Sequence, residues 1–498
     1  MLIVRKPGVE FNSVLLGALL GVAALIAGVP IPAAGAAGEG MLDAAEVQGL
    51  AEAGGGDGGG GIRIGEPSPA DAEEEEPDAE AWLPEDWSFG LERARLDAGW
   101  MPRNASYADL VYHGHLLMRA AWQPLGPWSV RAEGRLNGHY QRGGPRVEEI
   151  DVDYGEIYLR YRGNGWRVTG GAQRVNWGRI DEFPPTDRLG VEDLSRFVLD
   201  DLSERRRAAP ALRGQFFAAE WAFDALIVPW FREAEMPDRD SVWHPVDRQR
   251  GRFLGLPAAP EFAGLVRDGR FIEENDGEGG AGLRITRTGR GWDAGATFQR
   301  FRHSTPYYEL SDEARENLDN PEVAVEAGEY TFRAVHPRSY LVGIDGEIDH
   351  RGVTYRAEAV WLSDRPGTRE EDFAREDLES LEWGVGAEVF PGDGDLRVNI
   401  QVVGSHYLDA PSLLERSNEM ALNGEIEGRP LQRRLRARMR YAIGLDERDI
   451  YLNPEVAWVD WEPHELYLAA HYFEGAENTA GGFHQKNDVV IAGWRGRF

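Results

Sequence analysis

The chain of 498 residues contains no cysteine. That excludes disulfides, thiol nucleophiles and cysteine-ligated metal centres, and it removes the residue a lipoprotein anchor would need. Past the amino terminus there is also no apolar run of the roughly 18–20 residues a spanning helix requires, and the mean hydropathy is -0.46. Cationic excess is missing as well. The formal charge of -31 argues against nucleic acid as a partner. No phosphate loop, HExxH motif or nucleotide fingerprint is present. A helical membrane protein, a thiol enzyme and a nucleic-acid binder are set aside on these grounds. A membrane β-barrel is not, because its alternating strands are invisible to hydropathy.

What is present is glycine (61), tryptophan (16) and tyrosine (16), distributed along segments that alternate in polarity. The last ten residues show this most plainly. Val490, Ala492, Trp494, Gly496 and Phe498 fall on one side, and Val489, Ile491, Gly493, Arg495 and Arg497 on the other. A period of two is a strand, not a helix. A final strand ending on phenylalanine resembles the terminal strand of bacterial outer-membrane barrels, which implies outer-membrane lipid and the barrel-assembly machinery as partners.

Three regions are expected. Residues 1–37 read as a cleaved signal peptide: Arg5 and Lys6, an apolar core over 14–31, then small residues at 33–37. Residues 38–86 are glycine-rich and acidic, with four consecutive acids at 73–76, and cannot bury enough apolar surface to offset their ordering entropy. They read as a flexible periplasmic linker, a possible contact for a periplasmic partner. Residues 87–498 read as the barrel.

Alternation over 128–140 is about twice the length of an ordinary strand. It returns at 87–96, 110–122, 155–162, 166–172, 211–219, 221–229, 283–285, 292–298, 340–348, 353–361, 383–389, 396–402, 420–426, 431–443, 452–458, 466–472 and the tail. Tight connections alternate with long polar ones near 232–280, 303–337 and 363–379, as in up-and-down membrane barrels. The expected fold is therefore all-β, a transmembrane up-and-down antiparallel barrel of about 18 strands, or 16 if 87–96 is not counted and 420–426 is dropped. Aromatics such as Trp122, Trp128, Tyr161, Trp166, Trp292 and Trp458 lie near strand ends on apolar faces, where membrane interfaces favour them.

Chemistry should lie on the opposite faces. Over 430–444, Arg434, Arg436, Arg438 and Arg440 recur at spacing two, roughly 7 Å apart. A mid-bilayer arginine costs about 2–4 kcal/mol, so this face should point into the lumen. Arg495 and Arg497 from the tail, and Arg131, Arg135 and Arg160 from early strands, should join it. Asp345, Glu347, Glu358, Glu382 and Glu388 form an expected opposing acidic wall. Together they would place a transverse field across the pore and favour anions near the arginines, so the expected function is a porin-like channel for passive passage or export of small or polymeric anionic solutes. The alternative is that these charges pair with one another in a plugged lumen serving structure or partner docking.

The segment 177–210 is expected to be an inserted loop at the outer end, either folded inward as a constriction or lying over the mouth. Its charged candidates are Glu192, Asp193, Asp200, Asp201, Arg205 and Arg206. Trp177-Gly178-Arg179, Leu199-Asp200-Asp201, Ile227-Val228-Pro229-Trp230-Phe231, Tyr472-Phe473-Glu474-Gly475 and Asn487-Asp488 resemble an uncharacterised family of large porin-like outer-membrane proteins. Barrels of the alginate-export type are a more distant analogy, suggested by the arginine ladder. The resemblance spans roughly 87–498 and implies a porin-type barrel without an established substrate. The long acidic linker and the final arginines depart from it. An enzyme is not expected: Ser129 and His139 are too far apart on one strand to act together, and His113 and His115 read as polar lumen residues. Nor is a metal or other cofactor.

Overall fold

A computed structural model of the chain describes residues 86–498 apart from 105, 106, 125, 259, 276 and 393. The expected signal peptide and all but the last residue of the expected linker lie outside the described residues.

Among the described residues, eighteen long strands pair in chain order. They are β1 (Trp87–Trp100), β2 (Ala108–Trp122), β3 (Trp128–Gly143), β4 (Val147–Arg162), β5 (Trp166–Gln173) and β6 (Ala209–Ala218). Then come β7 (Trp221–Val228), β8 (Gly280–Gly289), β9 (Trp292–Arg302), β10 (Arg338–His350), β11 (Val353–Thr368) and β12 (Arg375–Val389). The last six are β13 (Leu396–Tyr407), β14 (Asn418–Gly428), β15 (Leu435–Gly444), β16 (Asp449–Trp461), β17 (His464–Gly475) and β18 (Val489–Arg497). Every neighbouring pair is antiparallel. Strand β18 returns to β1, with Trp100 opposite Val490 and Arg93 opposite Arg497, so the sheet closes and has no edge. The fallback of 16 strands is excluded, because β14 is paired with β13 along its length and with β15 over 421–428.

The polarity is that of a soluble protein turned inside out. Ile344 is 63 % exposed, Leu283 57 % and Leu468 56 %, whereas Asn399, Gln401, Asn423 and Asn453 are each 2 % exposed or less. Apolar side chains all round the outside are what hydrocarbon requires. At the short-turn end Trp87 stacks on Trp122 at 6.2 Å, and Tyr161 lies between Trp128 (4.7 Å) and Trp166 (5.0 Å). Exposed Trp221, Trp292, Trp458 and Trp461 continue this girdle at headgroup depth. The closed barrel with its apolar belt and aromatic girdle is an outer-membrane β-barrel.

Several expected boundaries shift. Strand β4 begins at Val147, so the outer connection before it is only three residues, 144–146. Strands β11 and β12 run on into the expected loop 363–379 and leave only 369–374 between them. The strand expected to start near 431 starts at Leu435. Leu431, Gln432 and Arg433 all have positive φ, a left-handed run that cannot belong to a strand. Arg434 therefore sits in a turn, about half exposed and 3.5 Å from Asp460, and the ladder has three lumen arginines, not four.

Outside the barrel, the connections 229–279 and 303–337 build a cap with its own core of Val246, Phe253, Phe262, Leu265, Leu310 and Phe332. Phe271–Glu274 pairs in parallel with Phe332–Val335, which pairs antiparallel with Tyr307–Leu310.

Candidate functional site: the lumen and its inward loop

The connection between β5 and β6 enters the barrel. Its first half is seated by apolar packing. Val175, Trp177, Leu189 and Val191 form one buried cluster with Leu226, Phe301, Leu341 and Val360 on the wall. Wall glycines make room for it: a Cβ on Gly282 would stand 2.6 Å from the Trp177 ring and 2.7 Å from Leu189. The Trp177 indole N–H donates to Asp224 at 3.1 Å. The second half is seated on the other side of the lumen, where Leu199, with Phe197 and Val198 packed beside it, joins a cluster with Tyr467, Phe473 and Ile491. The loop thus spans the pore.

Hydrogen bonds fix it between those seats. Glu358 on β11 accepts the backbone N–H of Arg179, that of Ile180 at 2.6 Å and the Thr186 hydroxyl at 2.7 Å. A buried carboxylate is satisfied here by loop donors and not by an arginine. Arg179 bonds Asp345 and Asp293, and Arg188 bonds Glu382. Asp181 accepts from Asn399 and, at 3.0 Å, from Gln401. At the far side Asp200 meets Arg95 at 2.7 Å, and Asp201 meets Arg438 and Arg440, each at 2.8 Å. Burial opposes ionisation of Asp200 and Asp201. The neighbouring guanidiniums, Arg196 and Arg95 for Asp200 and Arg438 and Arg440 for Asp201, outweigh it and hold both carboxyls far below the usual range.

The expected separation into a basic and an acidic wall is corrected by these pairs. Arg436 binds Glu465 (2.8 Å) and Glu455 (3.3 Å), Arg438 also reaches Glu455 (3.2 Å), and Arg495 binds Glu455 (2.5 Å) and Glu465 (2.6 Å). Glu455 and Glu465 lie on β16 and β17 beside the ladder and were not among the sequence candidates. Register could have found them, since Arg438 is directly opposite Glu455 and Arg495 opposite Glu465. On the other side Asp345 is held by Arg179 and Arg284, Glu347 by Arg356, Glu388 by Arg356 and Arg397, and Glu382 by Arg188. Both walls are neutralised locally, by opposite charges from nearby strands and by arginines of the inward loop.

The early arginines are likewise engaged. Arg131 contacts Glu133 and Glu92, and Arg135 pairs with Asp193 at 2.9 Å. Arg160 donates to Thr169 at 3.2 Å and lies over the Tyr158 ring. Arg497 is exposed at the end of β18. Within the loop Arg205 meets Glu182 (2.9 Å) and Glu192 (3.5 Å), and Arg206 meets Asp187 (2.6 Å). His113 packs on His139 with ring centres 4.8 Å apart, while His115 Nδ1 lies 2.7 Å from Asn137.

Between the loop and the β13–β16 wall lies a cavity of about 630 Å³. Arg179, Arg206, Arg397, Arg438 and Arg440 line it together with Asp181, Glu182, Asp201, Glu425 and Asp449. A second cavity of about 400 Å³ adjoins it, sharing Glu182, Phe183, Ala421 and Asp449, and reaches Arg188, Arg365 and Glu382.

No family model matches the chain, and no curated protein matches it. The resemblance to a porin-like family therefore stands on its short motifs alone. Among solved structures, similar ones include OmpF of Salmonella typhi in complex with daunomycin, 11% identical with a TM-score of 0.40, covering 82% of this chain and 97% of that one. Outer-membrane expressed OmpT of Vibrio cholerae is 8% identical with a TM-score of 0.41, covering 84% and 99%. The outer-membrane channel DcaP of Acinetobacter baumannii is 11% identical with a TM-score of 0.38, covering 83% and 97%. At these levels the barrel is established by its own strand pairing.

Proposed function

We propose that the protein is an outer-membrane channel passing small polar solutes, with anions favoured, along the cavity between the inward loop and the β13–β16 wall. The observation that carries this reading is the cavity itself. A loop crosses the barrel yet leaves about 630 Å³ beside it, edged by charged side chains from both loop and wall.

Selectivity in this reading comes from exchange at paired sites. Arg438 and Arg440 are held in place by Asp201, and further donors are engaged by Glu455 for Arg438 and by Asn453, Tyr451 and the Leu199 and Asp200 carbonyls for Arg440. A passing carboxylate or phosphate competes with Asp201 and so binds briefly, which conduction requires. Five arginines balance five acids around the cavity, so the anion preference should be modest. Passage of polymers would need a wider path than this cavity gives.

The test is single-channel current in a planar bilayer under a salt gradient, comparing the wild type with an R438Q/R440Q variant. Anion preference that disappears in the variant supports the reading. A folded, heat-modifiable barrel that carries no current overturns it in favour of a plugged barrel, whose lumen is closed by the loop and the cap.

A further inference from the structure

We propose that Glu233, Glu273 and His336 form a divalent-metal site that ties the two cap connections together, taking a first-row cation of the zinc type. One ligand atom from each residue lies within 4.8 Å of the others. The three come from separated places. Glu233 follows β7, Glu273 is on the cap strand Phe271–Glu274, and His336 stands just before β10.

His336 is the residue that points to a cation. Its side chain is fully buried. Its Nδ1 lies 2.9 Å from the His303 backbone carbonyl. A carbonyl only accepts, so Nδ1 carries a proton, and in the neutral tautomer Nε2 is the atom that presents a lone pair. That Nε2 faces Glu233 Oε2 at 3.5 Å, and among the described residues neither atom has a hydrogen-bond partner. A lone pair aimed at a carboxylate is repulsive unless positive charge lies between them. A ring oriented through a backbone carbonyl is also the usual support of a metal-bound imidazole.

The carboxylates fit the same role. Glu233 is oriented by the Asn275 amide, which donates to Oε1 at 3.2 Å. Among the described residues neither Glu233 nor Glu273 is paired with an arginine or lysine, in contrast to Asp345, Glu388 and Glu455 in the lumen. Ligands about 2.0–2.1 Å from a tetrahedral metal stand roughly 3.3 Å apart, close to the Glu233–His336 separation. Glu273 is exposed beside Glu233, and three protein ligands leave a fourth position for water. One imidazole with two carboxylates favours zinc-type cations over calcium or magnesium, which prefer oxygen alone. Bound metal would lock 229–279 to 303–337 over the outer mouth.

The test uses untagged, chelator-stripped full-length barrel in detergent. Zn²⁺ is titrated calorimetrically, and Co²⁺ is used as a spectroscopic substitute. One Zn²⁺ per chain is expected, displacing Co²⁺ and protecting the cap from protease. E233Q, E273Q and H336N should weaken binding by on the order of 100-fold. His336 is buried, so its variant can misfold. Glu273 is exposed, and E273Q, checked by heat modifiability, keeps the test decisive. Absence of stoichiometric binding by folded wild type, which would leave only an imidazolium–carboxylate pair, overturns the proposal. So does undiminished binding in E233Q and E273Q.

Discussion

Asp201 Oδ2 lies 2.8 Å from Arg438 Nη1, joining the inward loop to a strand 237 residues further along the chain. Because Asp201 also meets Arg440, D201N removes the loop carboxylate that two lumen guanidiniums share. A broken, partly buried pair costs up to roughly 3–5 kcal/mol. With Asp201 about one-third exposed, the lower end is expected. The variant should unfold from the barrel at lower temperature on gels and show noisier, larger single-channel currents. Unchanged traces would mean that this pair does not hold the loop.

The opposite seat can be tested by volume alone. G282V places methyl groups where Trp177 and Leu189 now pack, and overpacking of this kind costs about 1–3 kcal/mol. Trp177 should leave Asp224, and the loop should become cleavable at Arg179 or Arg188 by trypsin in the folded barrel. Protection equal to the wild type would show that the seat tolerates the added volume.

Facing can be checked on the two strands that flank β9. Ile344 is at the middle of β10 on the outer face, and Thr286 is on the inner face of β8. I344R should destabilise folding into bilayers by about 2–4 kcal/mol, whereas T286R should cost much less. Denaturant titration in lipid vesicles measures both, and equal costs would contradict the assigned faces.

Acid sensitivity should come from the outer end. Burial lowers the pKa of His303 to about 4 and that of His484 to about 3. In the unfolded chain both take up protons near the ordinary pKa of about 6.5, so the stability they contribute is present above that pH and is lost as pH falls toward 4. Asp488, raised to about 6 by burial against the opposing Phe473 N–H and Arg103, works in the other direction between about 4 and 6. The two histidines outweigh it, and heat-modifiability temperature should fall from pH 7 to pH 4. H484N should flatten that fall, and an unaltered profile would remove His484 as its source.

Much of the architecture was legible locally. All eighteen strands leave an alternating trace, because one face meets hydrocarbon and the other a polar lumen. Where reading along the chain failed, the reason was also local. The alternation of Leu431, Arg433 and Leu435 continues through a turn whose positive φ values leave no mark on polarity, and this carried Arg434 into the ladder. The motif residues Trp177, Arg179, Asp200 and Asp201 were singled out without their task, which is to hold the loop to the wall.

Period, polarity and connection length are properties of neighbouring residues, so the sequence by itself determined an up-and-down barrel and which face meets lipid, and left the strand number at 18 or 16 until the pairing of β14 decided it. The cancellation of the two charged walls, the path of the inward loop and the meeting of Glu233 with His336 were decided only by the tertiary structure. Each depends on register between strands or on contacts across the lumen and cap, and closure of the barrel is what brings those distant residues within a few ångströms.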